Sequence, residues 1–385
     1  MSLQVRYLGV GLVLLACLPQ ALQWRKEREA DAHRKFVVAP AKTRTGETPF
    51  FKSDFITADP VVPSVHAASI TEGSDGTLYA AWYGGSHEGA RDVNIFWSRR
   101  AANPDSAWSK PEVLVSRATA AQELQRPIKK VGNAVLFADG RGALDLIYVT
   151  VSFGGWSTSS LNVKTSRDEG KTWLPSQRLT LSPFLNLSEL VKNKPCALSD
   201  GEWAVPIYHE CLGKFPEILW LRDGADGRLS WSKTRVCGGR SLLQPALVPL
   251  DPNNALLFCR DFSSRRKLHL SRSADLGQHW STPKPLTLPN PDSGLDAIRL
   301  LDGRILLAFN DVERGRENLR LAISTDEGAT WTRRATLESE AGEEFSYPSL
   351  IQTRSGIIHV VYTWKRKGIK HAAFNEAWLD AKERP

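Results

Sequence analysis

Short apolar runs recur along the chain, each entered through a tight-turn pair. Asp75-Gly76 leads to Trp82, Asp139-Gly140 to Tyr148, Asp200-Gly201 to Tyr208, Asn253-Asn254 to Phe258, Asp302-Gly303 to Phe309 and Ser355-Gly356 to Tyr362. Gly, Asn and Asp accept the backbone angles of two-residue hairpins, so each pair reads as a turn feeding a buried strand. An apolar strand precedes each turn, and a further one follows at 93–97, 161–163, 218–220, 267–270 and 319–323. Three times that later strand runs into nearly the same phrase: Ser166-Arg-Asp168-Glu-Gly170-Lys-Thr172-Trp173, Ser273-Ala-Asp275-Leu-Gly277-Gln-His279-Trp280 and Ser324-Thr-Asp326-Glu-Gly328-Ala-Thr330-Trp331. The pattern S-x-D-x-G-x-[TH]-W fits a turn whose Asp accepts backbone N–H bonds, whose Gly supplies an angle other residues resist, and whose Trp packs under the loop. Units repeating every ~40 to 55 residues with four strands each are propeller blades. Six such units predict an all-β chain, a six-bladed β-propeller over residues 59–380. Residues 25–58 read as a linker and 1–24 as a signal peptide or N-terminal membrane or lipid anchor.

Composition changes this picture little. The 13 Trp suit sheet-on-sheet packing, and 28 Gly with 22 Pro suit many turns. The net charge of +8 comes from scattered Lys and Arg, with no basic helix or RNA-binding aromatic signature. An acidic partner is therefore expected, and nucleic acid is not. The apolar stretch 7–18 behind Arg6 has the length of a secretory core and is short for a membrane span, and Leu14-Leu-Ala-Cys17 resembles a lipobox. Export to the periplasm or outside the cell is expected, with membrane attachment only through this segment. Cys196, Cys211, Cys237 and Cys259 lack C-x-x-C spacing, and no other metal motif appears, so no cofactor or metal is expected.

The repeat predicts its own site. In a propeller the inner strands start, and the second strands end, near the axis on one face. Aligning the inner strands on their turns places His66, Asn133, Lys194, Gln244, Asp296 and Tyr347 in one ring of polar side chains. Second-strand ends add Glu88, Arg260, Asn310 and Arg366, and third-strand starts add Asp92 and Lys370. Asp261, Asp311, Glu217 and Lys365 read as ordinary loop charges.

The turn phrases, the sixfold repeat and the strand order resemble the sialidase (neuraminidase) superfamily, in its branch of bacterial BNR-repeat, Asp-box sialidase-like proteins. The resemblance covers about residues 60–378 and includes Trp82-Tyr-Gly-Gly-Ser-His-Glu-Gly89, Asn193-Lys-Pro195, Leu288-Pro-Asn-Pro-Asp-Ser-Gly-Leu-Asp296, Phe345-Ser-Tyr-Pro-Ser-Leu350 and Tyr362-Thr-Trp-Lys-Arg-Lys-Gly-Ile-Lys-His371. It implies a retaining glycosidase with a Tyr nucleophile made reactive by a Glu, an Asp acid/base and three Arg that clamp the sugar carboxylate. By that resemblance Tyr347 stands for the nucleophile, Arg260 for one clamp, and Glu88 or Asp92 for the acid/base. His66 replaces a clamp Arg, Gln244 replaces the activating Glu, and Asp296 lies near where a third Arg would be sought.

These features lead to an exported sialidase-like glycoside hydrolase, exo-α-sialidase-like, acting on a terminal acidic sugar of a glycan or polysaccharide. Two alternatives stay open. One is a uronate-glycan lyase or rhamnosidase-type enzyme using His66 and Tyr347, with Lys194, Arg260 and Arg366 holding an anionic sugar. The other is a non-catalytic glycan-binding propeller.

Overall fold

The computed structural model describes residues 34–42, 46–56, 61–103, 105–181, 188–223 and 229–381. The expected signal or anchor segment, with Cys17, lies outside them. The first strand, β1 (Phe51–Phe55), is followed by five complete blades and three strands of a sixth. Blade one is β2 (Ser64–Glu72), β3 (Leu78–Gly85), β4 (Asn94–Arg100) and β5 (Glu112–Val115). Blade two is β6 (Lys130–Ala138), β7 (Leu144–Val151), β8 (Ser159–Ser166) and β9 (Gln177–Arg178), after helix α1 (Arg117–Glu123). In blade three the inner strand is split into β10 (Glu189–Val191) and β11 (Cys196–Ala197), both paired with β12 (Trp203–His209), and β13 (Phe215–Asp223) and β14 (Leu229–Arg235) follow. Blade four is β15 (Leu242–Pro249), β16 (Ala255–Asp261), β17 (Lys267–Ser273) and β18 (Lys284–Pro289). Blade five is β19 (Asp296–Arg299), β20 (Ile305–Phe309), β21 (Asn318–Ser324) and β22 (Thr332–Ser339). Blade six is β23 (Phe345–Gln352), β24 (Ile358–Trp364) and β25 (Gly368–Phe374), with helix α2 (Glu376–Ala381) behind it.

The fourth strand of blade six is β1, which pairs antiparallel with β25 from Phe51 opposite Phe374 to Phe55 opposite Lys370. The stretch read from sequence as linker therefore contributes a blade strand. Upstream of it, residues 34–42 run along the hairpin turns of blades three to five. There Phe36 N donates to Pro252 O at 2.9 Å, Val37 N to Ala197 O at 2.9 Å and Lys42 N to Leu301 O at 2.6 Å.

The six hairpins and three longer turns form where the turn residues are. Asp168 Oδ1 accepts from Thr172 N at 2.8 Å, its other oxygen accepts from Thr172 Oγ1 at 2.6 Å, and Ser166 Oγ accepts from Gly170 N at 2.8 Å. Asp326 makes the same bonds with Thr330. Two left-handed residues in succession, Glu169 and Gly170 (φ 59° and 82°), make the bend. Gly170 is required for space as well as for angle, because a Cβ there would lie 2.6 Å from Trp97 of blade one.

The core is six interfaces rather than one mass. Blades one and two meet at Tyr79, Trp97, Leu136 and Tyr148, and blades six and one at Val361, Ile369, Ile70 and Trp82. Each sheet buries both faces against its neighbours, so the inner strands read as continuous apolar runs. The four described cysteines are free thiols, and no helix among the described residues is long and apolar enough to cross a membrane.

The turn carboxylates tie stability to pH. Hydrogen bonds from Thr172 and Thr330 pull Asp168 and Asp326 down to about 2. A folded pKa below the unfolded one gives stability that is present above about pH 4 and lost as pH falls toward 2. Asp168→Asn is expected to lower Tm at pH 7 and to flatten the fall of Tm between pH 4 and 2; an unchanged acid limb in differential scanning calorimetry would contradict this.

Candidate active site

The hairpins set a common register. In each blade the first hairpin residue donates its N–H to the carbonyl four residues on: Gly73 to Thr77, Asp139 to Ala143, Leu198 to Glu202, Leu250 to Asn254, Leu300 to Arg304 and Thr353 to Ile357. Counting six residues back from each donor gives Ala67, Asn133, Lys192, Gln244, Gly294 and Tyr347. Four of these, Ala67, Asn133, Gln244 and Tyr347, have positive φ (53°, 34°, 49° and 55°) at a bulge in the inner strand. A bulge re-aims the side chain it carries, and here it turns each toward the axis. A Cβ on Gly294 would stand 3.0 Å from Gln244 Oε1, 3.2 Å from Lys192 Cε and 3.4 Å from Tyr347 Cδ1, so these residues meet.

Lys194 and Asp296 are corrected by this register. Each lies two residues deeper than the ring position of its blade. They pair with each other, Lys194 Nζ to Asp296 Oδ2 at 2.8 Å, and Asp296 also accepts from Leu350 N at 2.7 Å and Ala297 N at 2.8 Å. Asp296 is 1% exposed and forms a brace across blades three, five and six. Their places in the ring belong to Lys192 and Gly294. Blade three breaks its inner strand there, blade five begins its own only at Asp296, and neither has the bulge, which displaces an alignment made on polar residue type.

The hydroxyl of Tyr347 is the focus of the cup. Arg260 Nη1 donates to it at 2.7 Å and Gln244 Nε2 at 3.1 Å. Arg260 has no acceptor atom, so its 2.9 Å contact assigns the amide oxygen of Gln244 and leaves Nε2 facing the phenols of Tyr347 and Tyr208. Asp292 fixes the guanidinium through Nε at 2.6 Å, and against the effect of burial Tyr347 and Asp292 together hold Arg260 in its charged form. Asn133 joins the same cluster, donating to Tyr208 Oη at 3.2 Å and to Val191 O at 2.9 Å.

Two more arginines close on the tyrosine. Arg316 lies 5.5 Å from the Tyr347 ring centre, bonded to Glu344 at 3.0 Å and to Asp292 O at 3.1 Å. Arg366 bonds the same Glu344 oxygen at 2.9 Å and Glu88 at 2.8 Å. Glu344, half-buried, is held below the usual carboxylate range: its bonds to Arg366 and Ser346 outweigh the opposing desolvation. His66 packs its ring 4.2 Å from that of Tyr347 and is 2% exposed. Burial first, then Arg366, Arg316, Arg260 and Lys192, push its pKa well below the ordinary histidine value.

The structure thus brings Tyr347, His66, Gln244, Arg260, Arg366, Glu88 and Asn133 together. Three other expected residues lie elsewhere. Asp92 caps its own loop, accepting from Ser86 N at 3.0 Å and Ser86 Oγ at 2.9 Å. Asn310 is a buried prop whose amide bonds Asn318 O and Phe345 O at the base of β23. Lys370 reaches outward to Glu338 on β22. The third arginine is Arg316, not a residue near Asp296. It was missed because the β20–β21 loop gives no register; Lys192 was passed over for the polar Lys194 two places on, Tyr208 and Asp292 were read as parts of a strand and a family phrase without a role, and Glu344 lies outside any repeat or motif. Among the described residues no group of three or more His, Cys, Asp or Glu is placed to hold a metal ion. A hollow of about 700 Å³ between blades six and one, lined by Glu72, Arg354 and His359, does not touch Tyr347. The convergence of charged groups on one hydroxyl makes the cup the stronger candidate.

Six blades, three with Asp-box turns, around an arginine-lined cup have the build of a sialidase-like BNR-repeat propeller. The family model described as BNR repeat-like domain matches residues 76–360, and the chain belongs to that family. A sialidase of Bacteroides fragilis (strain YCH46) is 23% identical over 244 residues, 58% of this chain, and the chain spans only 42% of that protein's length. Among solved structures, the Hadza microbial sialidase Hz136 superposes with a TM-score of 0.67 at 18% identity over 80% of this chain and 65% of its own. The intramolecular trans-sialidase from Ruminococcus gnavus does so with 0.67 at 15% identity over 86% of this chain and 98% of its own. At these identities the likeness is one of fold.

If the Lys194–Asp296 pair is a brace, Lys194→Met strands a buried carboxylate and costs about 3 to 5 kcal/mol. Asp296→Asn added to it recovers most of that loss in urea unfolding, and additive losses would refute the pairing.

Proposed function

We propose that the protein is an exo-acting glycoside hydrolase that removes a terminal acidic sugar, with Tyr347 as nucleophile. The single observation that carries this reading is the Tyr347 hydroxyl held by Arg260, with Arg316 over its ring and Arg366 joined to Arg316 through Glu344. A neutral phenol can approach a sugar whose own carboxylate would repel an anionic nucleophile, while guanidinium groups bind that carboxylate. In the step proposed, Tyr347 Oη bonds to the anomeric carbon as the bond to the aglycone oxygen breaks. Glu88, at the rim on Arg366, supplies the proton to that oxygen. Water then attacks the glycosyl–tyrosine bond and gives its proton back to Glu88. Gln244 stands where a carboxylate would take the phenol proton, and an amide cannot accept it. That proton leaves to solvent as the bond to the anomeric carbon forms, and the donors from Arg260 and Gln244 stabilise the charge developing on the phenol oxygen. The apolar stretch 7–18 supports an exported enzyme.

A second reading is β-elimination from a uronate, favoured by the one observation that a neutral imidazole, His66, packs against Tyr347. Incubation with sialosides and uronate glycans separates the readings. Free sugar without new ultraviolet absorbance supports hydrolysis, an unsaturated product supports elimination, and saturable binding without product supports a binding propeller.

Tyr347→Phe is expected to lower kcat on a sialoside at least about a hundredfold with little change in KM, since general base and nucleophile losses reach that size. Gln244→Glu restores a proton acceptor 3 Å from the phenol and is expected to raise kcat about tenfold or more. A Gln244→Glu variant no faster than the parent enzyme in stopped assays would argue against Tyr347 as nucleophile.

A further inference from the structure

We infer that His66 serves the cup as a neutral Nε2–H hydrogen-bond donor to a sugar oxygen, its tautomer set by Thr363, and not as a proton acceptor. The role given to the donor rests on the hydrolase reading above; the tautomer does not.

Thr363 lies on β24 directly behind the first residues of β2. Its hydroxyl oxygen is 3.1 Å from Ala67 N and 3.0 Å from His66 Nδ1. The Ala67 amide can only donate, so it occupies a lone pair of that oxygen. The left-handed backbone at Ala67 holds the amide in place. The hydroxyl has one hydrogen, and among the described residues the acceptor beside it is Nδ1. When Thr363 donates to Nδ1, the lone pair of the imidazole is spent inside the protein and the ring proton sits on Nε2.

Nε2 has no hydrogen bond to a described residue. Nor is it among the fully buried polar atoms that lack a partner, so it keeps some access to solvent on a ring packed against Tyr347. The ring plane is fixed from two sides, by Tyr347 at 4.2 Å and edge-on by Tyr83 at 5.7 Å. Every charged neighbour that acts strongly on it is a cation: Arg366, Arg316, Arg260 and Lys192. A second proton on this ring is therefore opposed by burial and by three arginine charges, joined by Lys192 when it is protonated. The result is a rigid donor of zero charge inside a cationic wall. A neutral donor gives one directional bond where a guanidinium would give two and a charge. The site therefore suits a sugar whose carboxylate lies on the arginine side and whose hydroxyl or glycosidic oxygen faces His66. A base that removes a carbon-bound proton needs a free lone pair, and this arrangement leaves none.

The test uses the full chain with ¹⁵N-labelled histidine. A long-range ¹H–¹⁵N spectrum, assigned by loss of the His66 signals in His66→Gln, is expected to show the Nε2–H form unchanged from pH 8 to 5. Thr363→Val is expected to mix the tautomers. An Nδ1–H pattern, or protonation near the ordinary histidine value, overturns the inference whatever the enzyme's substrate. For the role, N-acetylneuraminate is titrated by calorimetry. His66→Asn, whose amide falls nearer Nδ1, is expected to weaken binding about tenfold, the worth of one hydrogen bond. His66→Gln, whose N–H falls near Nε2, is expected to recover most of that loss. Equal losses in the two variants overturn the donor role. No binding by the parent chain overturns the hydrolase reading and the role together, while the spectrum still decides the tautomer.

Discussion

Three consecutive residues of blade three hold the axis, and the cup depends on them. Lys192 Nζ is bonded to Asn193 Oδ1 at 2.8 Å, to Leu295 O at 2.9 Å and to Pro348 O, which spends its three hydrogens on carbonyls of its own blade and of blades five and six. Asn193 donates to Gln244 O at 3.1 Å and Pro245 O at 2.9 Å, reaching blade four. Lys194 reaches Asp296. A propeller has little packing at its centre, because inner strands diverge there. Here the gap is spanned by long polar side chains that fit carbonyls facing the axis. Such a centre has a cost, since burial pushes Lys192 down to about 7. It also delivers a benefit: Gln244 in the ring, and Pro348 next to Tyr347, are fixed by the same bonds.

The charge of the cup follows. Arg366, Arg316, Arg260 and Lys192 surround His66, and Asp292 and Glu344 are the carboxylates that balance the arginines. Asp292 orients one guanidinium and Glu344 two. Under the hydrolase reading, an entering sugar carboxylate would meet arginines already aimed, so little reorganisation would accompany its binding. The same field keeps the imidazole uncharged, which distinguishes its part from that of the arginines beside it.

The sequence carried the architecture because turn chemistry is local. Asp-Gly and the Ser-x-Asp-x-Gly phrase specify backbone angles within a few residues, and sixfold recurrence makes them a fold. Tyr347, Gln244 and Asn133 were legible for a related reason: they sit on regular inner strands at a fixed distance from a hairpin. Lys192 and Gly294 were not, because blade three interrupts that strand, blade five begins it only at Asp296, and a more conspicuous polar residue stands two places on. Arg316 and Glu344 lie beyond any register, in or next to a loop whose course is decided by tertiary contacts such as the Phe345 N–H bond to Arg316 O. Position along a strand can be counted, whereas the reach of a loop arginine depends on what has already packed around it.

The pairing of β1 with β25 joins residues more than three hundred positions apart in the chain. During synthesis the opening strand must wait, with one edge unsatisfied, until the last blade leaves the ribosome. The first five blades can form in order of emergence, yet the circle stays unlatched until both termini are present. Ring completion is thus a late step of high contact order, and the nascent chain carries an adhesive edge for most of its time on the ribosome.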